Sequence, residues 1–512
     1  MSFDSKAANH ASDTCRDRNA NQRWLNNVTT PSSARSSEGE RYHLAIVGAG
    51  PAGLVAAAGA AGLGAKVALI ESEKMGGDCL NNGCVPSKTL LNAARRASEH
   101  SNISEDDIVR QKPLVHFDRV MNRVETIRAD LSEHDSVHRF NELGVDVFMG
   151  RGSFTSPESL EVNGEKINFK RALIATGARA SKLRAPGFQD IEMRTNEDIF
   201  SLNELPKRLI VIGGGAIGCE LAQAFARLGS SVVQIEKASR LLQREDADAS
   251  KLIQASLEQD GVKILLNSSV ESVSKDGTDK VVLVKQNGSK HQFKGDEILV
   301  SVGRSPNVQH LNLEKANVKF DEKHGVEVND FLQTSNPKIY AAGDISTAEK
   351  FTHAADFMSR IVVQNSLFMG RSRFSSLIIP RCTYTSPEVA HVGFNPLQAN
   401  ISSVPVQTFT ETFSHVDRAV IDGRTDGFAR IHVKKGTDKI IGATIVGQNA
   451  GDHISMITMA IKHRIGMKKI AATIFPYPTQ ADVIRRLGDQ YNRTRLTPRV
   501  KNLMSKWLAW TR

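Results

Sequence analysis

Two cysteines five positions apart, Cys79 and Cys84, are the residues best suited to chemistry in this 512-residue chain. The run Pro86–Lys88 and the apolar residues after it predict the start of a helix. At a helix start, unpaired backbone N–H groups and the helix dipole favour a thiolate at Cys84. The two sulfurs can form a disulfide if the backbone between them is tightly wound.

Two other interpretations of this pair are open. Unrelated cysteines are common in protein cores. A structural zinc site is the other alternative, but zinc needs four ligands and the sequence holds no second cysteine pair. The paired glycines Gly76 and Gly77, the helix start and the basic Lys88 favour a redox-active disulfide.

The composition is that of an ordinary globular protein, with 40% hydrophobic and 24% charged residues. The length suggests about three or four domains. Five scattered cysteines are typical of a reducing cytosol, so we expect a cytoplasmic protein. Residues 44–65 carry no charge, but their six glycines and the charged Lys66 and Glu71 that follow favour a soluble β-α-β unit over a membrane span.

The net charge of +10 is concentrated in the tail. Residues 485–512 hold eight Lys and Arg against one acid, Asp489, so the body is close to neutral and no nucleic-acid partner is expected. Residues 1–41 are polar without apolar periodicity, which predicts a disordered arm.

A first dinucleotide fingerprint follows the arm. The strand 43–47 leads into three spaced glycines and an alanine-rich helix, and a second strand ends at Glu71, 23 residues after the first glycine. The glycines make the turn, admit a pyrophosphate and let the helix pack on the strand, and the acid can accept hydrogen bonds from a ribose. The three glycines are Gly48, Gly50 and Gly53.

The pattern returns after the strand 208–212, and Glu236 again lies 23 residues after the first glycine. The glycines of this second fingerprint are Gly213, Gly215 and Gly218. Two such folds imply two dinucleotides, and the adjacent disulfide implies that electrons pass between them. An acid at position 236 favours NAD over NADP, because it would repel a 2′-phosphate.

Three further apolar strands end in glycine, and each alone is more often a plain core strand. Their terminal residues are Thr176 and Gly177, then Gly303, then Gly343 and Asp344, whose carboxylate could bond a chain of hydroxyls. From about residue 381 the pattern changes to strand-rich segments, a helix over 452–462 and a proline-rich turn over 474–482. This change predicts a separate α+β domain.

With these motifs assembled, the chain resembles the flavin-dependent pyridine nucleotide–disulfide oxidoreductases over residues 41–490. The run Gly-Gly-x-Cys-x4-Cys-Val-Pro-Ser-Lys is highly specific for that family. The resemblance implies FAD on the first fold, NAD(P)H on the second and a homodimer formed through the C-terminal domain.

The predicted fold is α/β, with two Rossmann-like dinucleotide-binding domains and a C-terminal α+β dimerisation domain. The expected divisions are an arm over 1–41, an FAD-binding domain with the redox disulfide over 42–190, an NAD(P)-binding domain over 191–308, a return segment over 309–378, a dimerisation domain over 379–490 and a basic amphipathic tail over 491–512.

The resemblance also implies residue roles. Cys84 would face the flavin, and Cys79 would be the outer thiol that attacks a disulfide or transiently binds a soft metal ion together with Cys84. Lys88 would pair with Glu220 beside the isoalloxazine. Asp344 would hold the ribityl chain.

One departure concerns the C-terminal turn. Disulfide reductases of this family carry a His-Pro pair whose histidine is the general acid/base, and here Tyr477-Pro478 stands instead. The turn is similar to that of the mercuric-reductase branch, where this tyrosine lies near the metal across the dimer. That branch's C-terminal cysteine pair and N-terminal Cys-x-x-Cys are both missing. Glu236 is more like the NAD-using dehydrogenases.

These features predict electron transfer from NAD(P)H to a soft metal ion or small acceptor, as in mercuric reductase. Dihydrolipoamide dehydrogenase or another small-disulfide reductase is the enzymatic alternative. A membrane-associated electron-carrier flavoprotein is the alternative from a different class.

The basic tail is the feature that bears on this last alternative. Apolar residues recur there at the spacing of one helix face, at Val500, Leu503, Met504, Trp507 and Leu508. Basic residues oppose them, which predicts an amphipathic basic helix. We expect residues 499–512 to dock on the protein's own dimer, with contact to an anionic membrane as the alternative.

Overall fold

The computed structural model of the chain describes residues 18–29, 41–101, 114–395 and 405–512. Residues 1–17 and 30–40 of the predicted arm, with Cys15, lie outside these ranges. Within them, no helix is both long enough and apolar enough to cross a membrane.

The first unit begins with α1 and is built around a parallel sheet. Its elements are α1 (Arg18–Thr29), β1 (Arg41–Val47), α2 (Pro51–Gly62), β2 (Val67–Glu71), α3 (Gly77–Asn81), α4 (Cys84–Ser101), α5 (Phe117–Ser132), α6 (Val137–Glu142), β3 (Val145–Met149), β4 (Gly152–Ser156), β5 (Ser159–Val162), β6 (Glu165–Ile174) and β7 (Ala178–Ala180). The sheet has the order β3-β2-β1-β6-β5-β4. Strand β2 is buried at every residue, as expected when helices cover both faces of a parallel sheet.

The second unit repeats the parallel arrangement. Its elements are β8 (Arg208–Ile212), α7 (Ala216–Leu228), β9 (Ser231–Ile235), α8 (Ala247–Gln259), β10 (Lys263–Leu265), β11 (Ser268–Asp276), β12 (Asp279–Gln286), β13 (Ser289–Gly295), β14 (Glu297–Val300) and β15 (Arg304–Pro306). The parallel sheet has the order β10-β9-β8-β14, and β11-β12-β13 form an antiparallel sheet. Strand β15 pairs antiparallel with β7, which joins the two units.

The chain then returns to the first unit. The returning elements are β16 (Phe320–Asp321), β17 (Gly325–Val326), β18 (Ile339–Ala341) and α9 (Thr352–Leu367). Strand β18 pairs in parallel with β6 and completes a seven-stranded sheet. Helix α9 packs on α2, so the beginning of α9 lies near the first fingerprint.

The C-terminal unit is α+β, as predicted. Its elements are β19 (Arg381–Thr383), β20 (Glu388–Gly393), β21 (Val406–Thr412), α10 (Asp417–Ile421), β22 (Phe428–Lys434), β23 (Ile440–Gly447), α11 (Ala450–Lys462), α12 (Met467–Ala471), α13 (Asp482–Arg495) and α14 (Pro498–Trp510). The five strands form an antiparallel sheet of order β19-β20-β23-β22-β21, and α11 packs on β20 and β23.

The prediction of a disordered arm is wrong for residues 18–29, which form α1. Ala20, Trp24 and Val28 are buried in the core of the first unit. Their spacing of four places them on one face of the helix, and α1 packs on α5 through that face. Three apolar-face residues within a polar stretch are too weak a pattern to predict a helix without knowledge of this partner.

Candidate redox site

A cavity of 2210 Å³ lies where the two dinucleotide units meet the C-terminal unit. A pocket for one drug-sized ligand typically measures about 300–1,000 Å³, so this cavity has room for more than one ligand. It is lined by most of the predicted site residues, namely Gly48, Gly50, Glu71, Cys79, Cys84, Lys88, Thr176, Gly177, Gly215, Glu220, Glu236, Gly303, Gly343 and Asp344.

Gly53 and Gly218 lie behind the cavity wall, where each helix packs on its own turn. A Cβ added at Gly53 would lie 1.8 Å from the carbonyl oxygen of Gly48, and one at Gly218 would lie 2.2 Å from that of Gly213. Any side chain at either position would therefore push the helix away from the strand.

Helices α2 and α7 both begin at the cavity without a side-chain cap. Gly50 is the N-cap residue of α2, and Gly215 is the N-cap residue of α7. A Cβ at Gly50 would meet only the Cα of Gly77, at 3.7 Å, and a Cβ at Gly215 would meet nothing within 4 Å. Uncapped N–H groups in the field of a helix dipole bind phosphate, so both helix starts fit the pyrophosphate of a dinucleotide.

Glu71 and Glu236 occupy equivalent places in the two units. Each carboxylate accepts two backbone hydrogen bonds. Glu71 accepts from the N–H groups of Ala49 at 2.7 Å and Glu73 at 2.8 Å. Glu236 accepts from Gly214 at 2.5 Å and from Ala238 at 2.7 Å. Burial raises the pKa of Glu71 above its usual value. Both groups border the cavity where a ribose hydroxyl could reach them.

Asp344 is joined to the cysteine loop through Arg304. The guanidinium of Arg304 lies 3.3 Å from the carboxylate of Asp344 and 3.0 Å from that of Asp78, the residue before Cys79. Burial raises the pKa of both carboxyl groups, and the positive charge of Arg304 opposes that rise. Arg304 therefore holds the loop and the end of β18 at a common position in the cavity wall.

The cysteine loop is wound as the disulfide prediction requires. Gly77 has φ +57°, and a Cβ there would lie 2.6 Å from the Cα of Gly50, so the loop touches the first fingerprint. Cys79 lies in the short helix α3, and Cys84 is the first residue of α4. Both are free thiols, Cys79 half-buried and Cys84 exposed. The Oγ1 of Thr352 lies 3.7 Å from the Sγ of Cys84.

The two thiols differ in acidity. A hydrogen bond from Cys79, the charge of Lys88 and the hydroxyl of Thr352 together outweigh the partial desolvation of the Cys84 sulfur at the cavity wall and lower the pKa of Cys84 to about 6. The same hydrogen bond, together with burial, raises the pKa of Cys79 well above its usual value. At neutral pH the pair therefore holds one thiolate, on Cys84, and one proton, on Cys79. Among the described residues, no three His, Cys, Asp or Glu side chains lie together as a metal site.

Lys88 and Glu220 form the expected ion pair. The Nζ of Lys88 lies 2.8 Å from Oε2 of Glu220, while Oε1 of Glu220 accepts the N–H of Tyr384 at 2.8 Å. Lys88 also lies 4.5 Å from the centre of the Tyr384 ring. Burial opposes the charge on Lys88, but Glu220 and Cys84 outweigh it and raise the pKa of the ammonium group.

Tyr477 does not line the cavity of its own chain. Its side chain is 75% exposed, and its hydroxyl donates to Asp417 at 2.8 Å. His415 and His453, the histidines considered as substitutes for the absent base, do not line the cavity either. His415 pairs with Glu411 at 2.7 Å, and burial lowers the pKa of His453.

The structure brings four residues to the site that the sequence did not single out for it: Arg304, Thr352, Cys382 and Tyr384. Arg304 directly follows a predicted glycine, which was a usable signal. Thr352 opens α9, and the other two come from the C-terminal unit, where no motif marks them. Burial raises the pKa of the Cys382 thiol, so it is protonated.

Comparison with known families agrees with this geometry. Residues 42–359 match the family model described as pyridine nucleotide-disulphide oxidoreductase, and residues 379–487 match the dimerisation domain of that family. The chain belongs to the pyridine nucleotide-disulphide oxidoreductases, is an enzyme of the flavin disulfide oxidoreductase class and uses FAD and NAD(P)H. The dimerisation domain indicates a homodimer.

Individual relatives fall on both sides of the substrate question. A mercuric reductase of Staphylococcus aureus is 33% identical over 87% of this chain and 81% of its own length. A dihydrolipoyl dehydrogenase of Buchnera aphidicola is 34% identical over 88% of this chain and 95% of its own. Among solved structures, the HOCl-induced flavoprotein disulfide reductase RclA of Escherichia coli is 28% identical, with a TM-score of 0.78 over 88% of this chain and 99% of that one.

Proposed function

We propose that this enzyme oxidises NAD(P)H and passes the electrons through Cys79 and Cys84 to a soft metal ion or another small acceptor. The observation that carries the proposal is a thiol pair with no histidine at the C-terminal turn, where Tyr477-Pro478 stands. Without that general acid, protonation of a leaving thiol is slow, whereas a metal ion needs no leaving thiol. RclA of Escherichia coli, a relative of this fold, has been solved as a complex with Cu(II), and binding of a soft metal ion is the step that this proposal requires.

Each residue has a task in this proposal. Cys84 holds the negative charge on the flavin side, and Cys79 holds the proton and meets the acceptor. Lys88, fixed by Glu220, keeps a positive charge near the Cys84 thiolate. FAD, when bound, relays two electrons from the nicotinamide to the cysteine pair.

The electron balance suits a metal acceptor. Two electrons and two protons convert the Cys79–Cys84 disulfide to two thiols. When both thiols lose their protons they offer two soft sulfur ligands to a metal ion. Passing two electrons to one Hg(II) ion, or one electron to each of two Cu(II) ions, restores the disulfide. Tyr477, exposed on the dimerisation domain, would approach this acceptor from the second copy in the homodimer.

The proposal is tested by the rate of NADH and NADPH oxidation with Hg(II), Cu(II), lipoamide and a quinone. We expect metal-dependent turnover that disappears in Cys79→Ser. Tyr477→Phe should slow metal turnover, and Tyr477→His should raise lipoamide turnover relative to metal turnover, because it supplies the absent acid. Lipoamide turnover as fast as metal turnover in the unaltered enzyme would refute the metal proposal in favour of a dihydrolipoamide dehydrogenase.

We further propose that NADH is preferred to NADPH. The Glu236 carboxylate lies just after β9 beside the uncapped start of α7, where Gly214 donates to it. A negative charge at this place repels the 2′-phosphate of NADPH. The basic Arg240 is turned aside, because its guanidinium donates to the carbonyl oxygen of Gln243 at 2.8 Å.

For the tail we propose peripheral contact of α14 with an anionic lipid surface. None of its 13 residues is buried in the chain, and Leu503 and Leu508 are 70% and 66% exposed. Residues 490–512 hold six Lys and Arg and no acid. Apolar residues opposed by cations are the pattern of an interfacial helix, and α14 lies beyond residue 487, where the match to the dimerisation domain ends.

Co-sedimentation with vesicles tests this contact. We expect the full chain to bind phosphatidylserine-containing vesicles but not phosphatidylcholine vesicles, and the 1–497 chain to bind neither. Leu503→Asp should abolish binding, while Asn502→Asp, which adds the same charge beside it on the polar face, should only weaken it. Equal sedimentation of the full and shortened chains refutes the proposal. A shortened chain that becomes monomeric also refutes it, because the apolar face of α14 would then be covered by the second copy of the chain rather than by lipid.

A further inference from the structure

We propose that helix α1 positions the redox loop and that Trp24 is the positioning residue through which it acts. The inference rests on the proposed role of Cys79 and Cys84 as the redox pair. Helix α1 ends before residue 42, where the match to the family model begins.

The contact is made at Asn81, which lies between the two cysteines. The indole N–H of Trp24 donates to Oδ1 of Asn81 at 2.9 Å. Trp24 and Asn81 are 7% and 3% exposed, so water cannot replace this bond. A buried amide oxygen that loses its donor carries the full penalty of desolvation.

Asn81 in turn ties the loop together. Its Nδ2 donates to the carbonyl oxygens of Met75 at 3.0 Å and Gly77 at 2.7 Å, and its own carbonyl accepts from Arg128 at 3.0 Å. The Asn81 side chain therefore links Met75 and Gly77 to the end of α3, and the Asn81 backbone carbonyl links α3 to α5. Trp24 fixes the orientation of that amide, because only the O-side of the group can accept the indole proton.

Two cations contact the Trp24 ring. The Nζ of Lys74 lies 4.4 Å from the centre of the Trp24 ring, and the guanidinium carbon of Arg128 lies 4.2 Å from the ring centre. Both distances are within cation–π range. The backbone adds a direct link, since the N–H of Met75 donates to the carbonyl of Val28 at 2.9 Å. Helix α1 thus contacts the loop through a side chain and through its own backbone.

Separate contacts anchor α1 to the body of the first unit. Arg23 forms an ion pair with Asp130, and the Nδ2 of Asn27 donates to Oγ of Ser132 at 2.9 Å. Because these contacts go to α5, the helix can stay docked when the bond to Asn81 is removed. The effect of Trp24 on the loop is therefore separable from the folding of α1.

A fixed loop keeps the two sulfurs close together. Preorganised groups react at a high effective concentration, and disulfides form only within a narrow range of backbone separation. Loosening the loop should lower the equilibrium ratio of disulfide to dithiol, which moves the reduction potential to a less negative value.

The test is Trp24→Phe, which keeps an aromatic ring and removes the N–H donor. The protein is equilibrated with reduced and oxidised dithiothreitol at fixed ratios, trapped with a maleimide, and Cys79 and Cys84 are quantified by peptide mass spectrometry. We expect about a tenfold lower disulfide-to-dithiol ratio than in the unaltered chain, which is about 30 mV for a two-electron couple. Asn27→Ala removes a contact between α1 and α5 but leaves the bond from Trp24 to Asn81 in place, so the disulfide-to-dithiol ratio should stay near its original value. This variant also covers the case in which Trp24→Phe fails to fold. An Asn27→Ala shift as large as the one expected for Trp24→Phe would refute the role of Asn81.

Tyr42→Phe is the matched control for loss of one donor. The Tyr42 hydroxyl donates to Asp146 at 2.9 Å in the same unit, away from the loop, so this variant should lower the unfolding temperature without moving the potential. A Trp24→Phe potential equal to that of Tyr42→Phe would overturn the inference. If Cys79→Ser leaves all turnover intact, the proposed redox pair fails instead, so the two failures are distinguishable.

Discussion

Replacing Cys79 by alanine tests what makes the Cys84 thiol acidic. The hydrogen bond from Cys79 is the largest factor that lowers this pKa, ahead of Lys88 and Thr352. Cys79→Ala removes the donor, whereas Cys79→Ser keeps a hydroxyl donor in its place. We expect the pKa of Cys84 to rise from about 6 toward its usual 9.0 in the alanine variant, and to rise much less in the serine variant.

The size of the effect depends on two opposing trends. At pH 7 a thiol of pKa 6 is about nine-tenths ionised, and one of pKa 9 is about one-hundredth ionised. A more basic thiolate is also more nucleophilic, by about 15- to 30-fold over three pKa units. Alkylation of Cys84 at pH 7 should therefore slow only about three- to sixfold in Cys79→Ala, while at pH 10 it should be about ten- to thirtyfold faster. The two pH profiles cross, which a general loss of reactivity would not produce.

The assay is the rate of iodoacetamide alkylation of the dithiol form between about pH 5 and pH 10. The Cys84 peptide is quantified by mass spectrometry, so Cys219 and Cys382 do not contribute. Thr352→Val removes a weaker contact, at 3.7 Å, and should shift the profile in the same direction by less. A Cys79→Ala profile that levels off at the same pH as that of the unaltered chain would refute the hydrogen-bond explanation.

Three other expectations concern the site and the dimerisation domain. Glu220→Gln removes the counter-charge of Lys88, whose side chain is only about one-third exposed. The variant should lower the free energy of unfolding in urea by about 1–3 kcal/mol. An unchanged midpoint of urea unfolding would contradict this expectation. Glu236→Ser removes the charge that repels a 2′-phosphate and should raise the NADPH-to-NADH ratio of kcat/KM by about tenfold or more, and a ratio that stays constant would remove Glu236 from nucleotide selection. Burial lowers the pKa of His391 to about 3 and of His432 to about 4, from a usual 6.5. Below pH 6.5 the unfolded chain binds protons that the folded chain does not, so the free energy of unfolding decreases as the pH is lowered, by about 2 kcal/mol for each histidine at pH 5. In urea unfolding at pH 7.5 and pH 5, His391→Gln should remove about half of this decrease. A decrease of unchanged size would contradict the prediction.

The features that could be predicted from the sequence are those made by neighbouring residues. Each glycine fingerprint places its turn, helix and acid within 23 residues, so one strand–turn–helix unit carries the whole signal. Cys79 and Cys84 lie on one wound loop for the same reason. The two dinucleotide folds, a helix start near Pro86 and the α+β character of the C-terminal unit all follow from local patterns, although the helix begins two residues earlier, at Cys84 itself.

Residues that meet across the fold needed either a family resemblance or the structure. Lys88 and Glu220 are 132 positions apart, and only the resemblance linked them. Nothing in the sequence indicated that Arg304 would join Asp344 to Asp78, or that Tyr384 would close the far side of Glu220. Such contacts depend on how separately formed elements pack, which a local pattern does not encode.

The amino-acid sequence by itself determined the chemistry of this protein, because a thiol pair beside a dinucleotide turn is a local arrangement. Tertiary structure decided how that pair is held. Residues 18–29 looked too polar to fold, yet Trp24 and Val28 are buried against α5 and the redox loop. The partner surface makes that short helix stable, since a segment of 12 residues with a single apolar stripe gains most of its stability from packing.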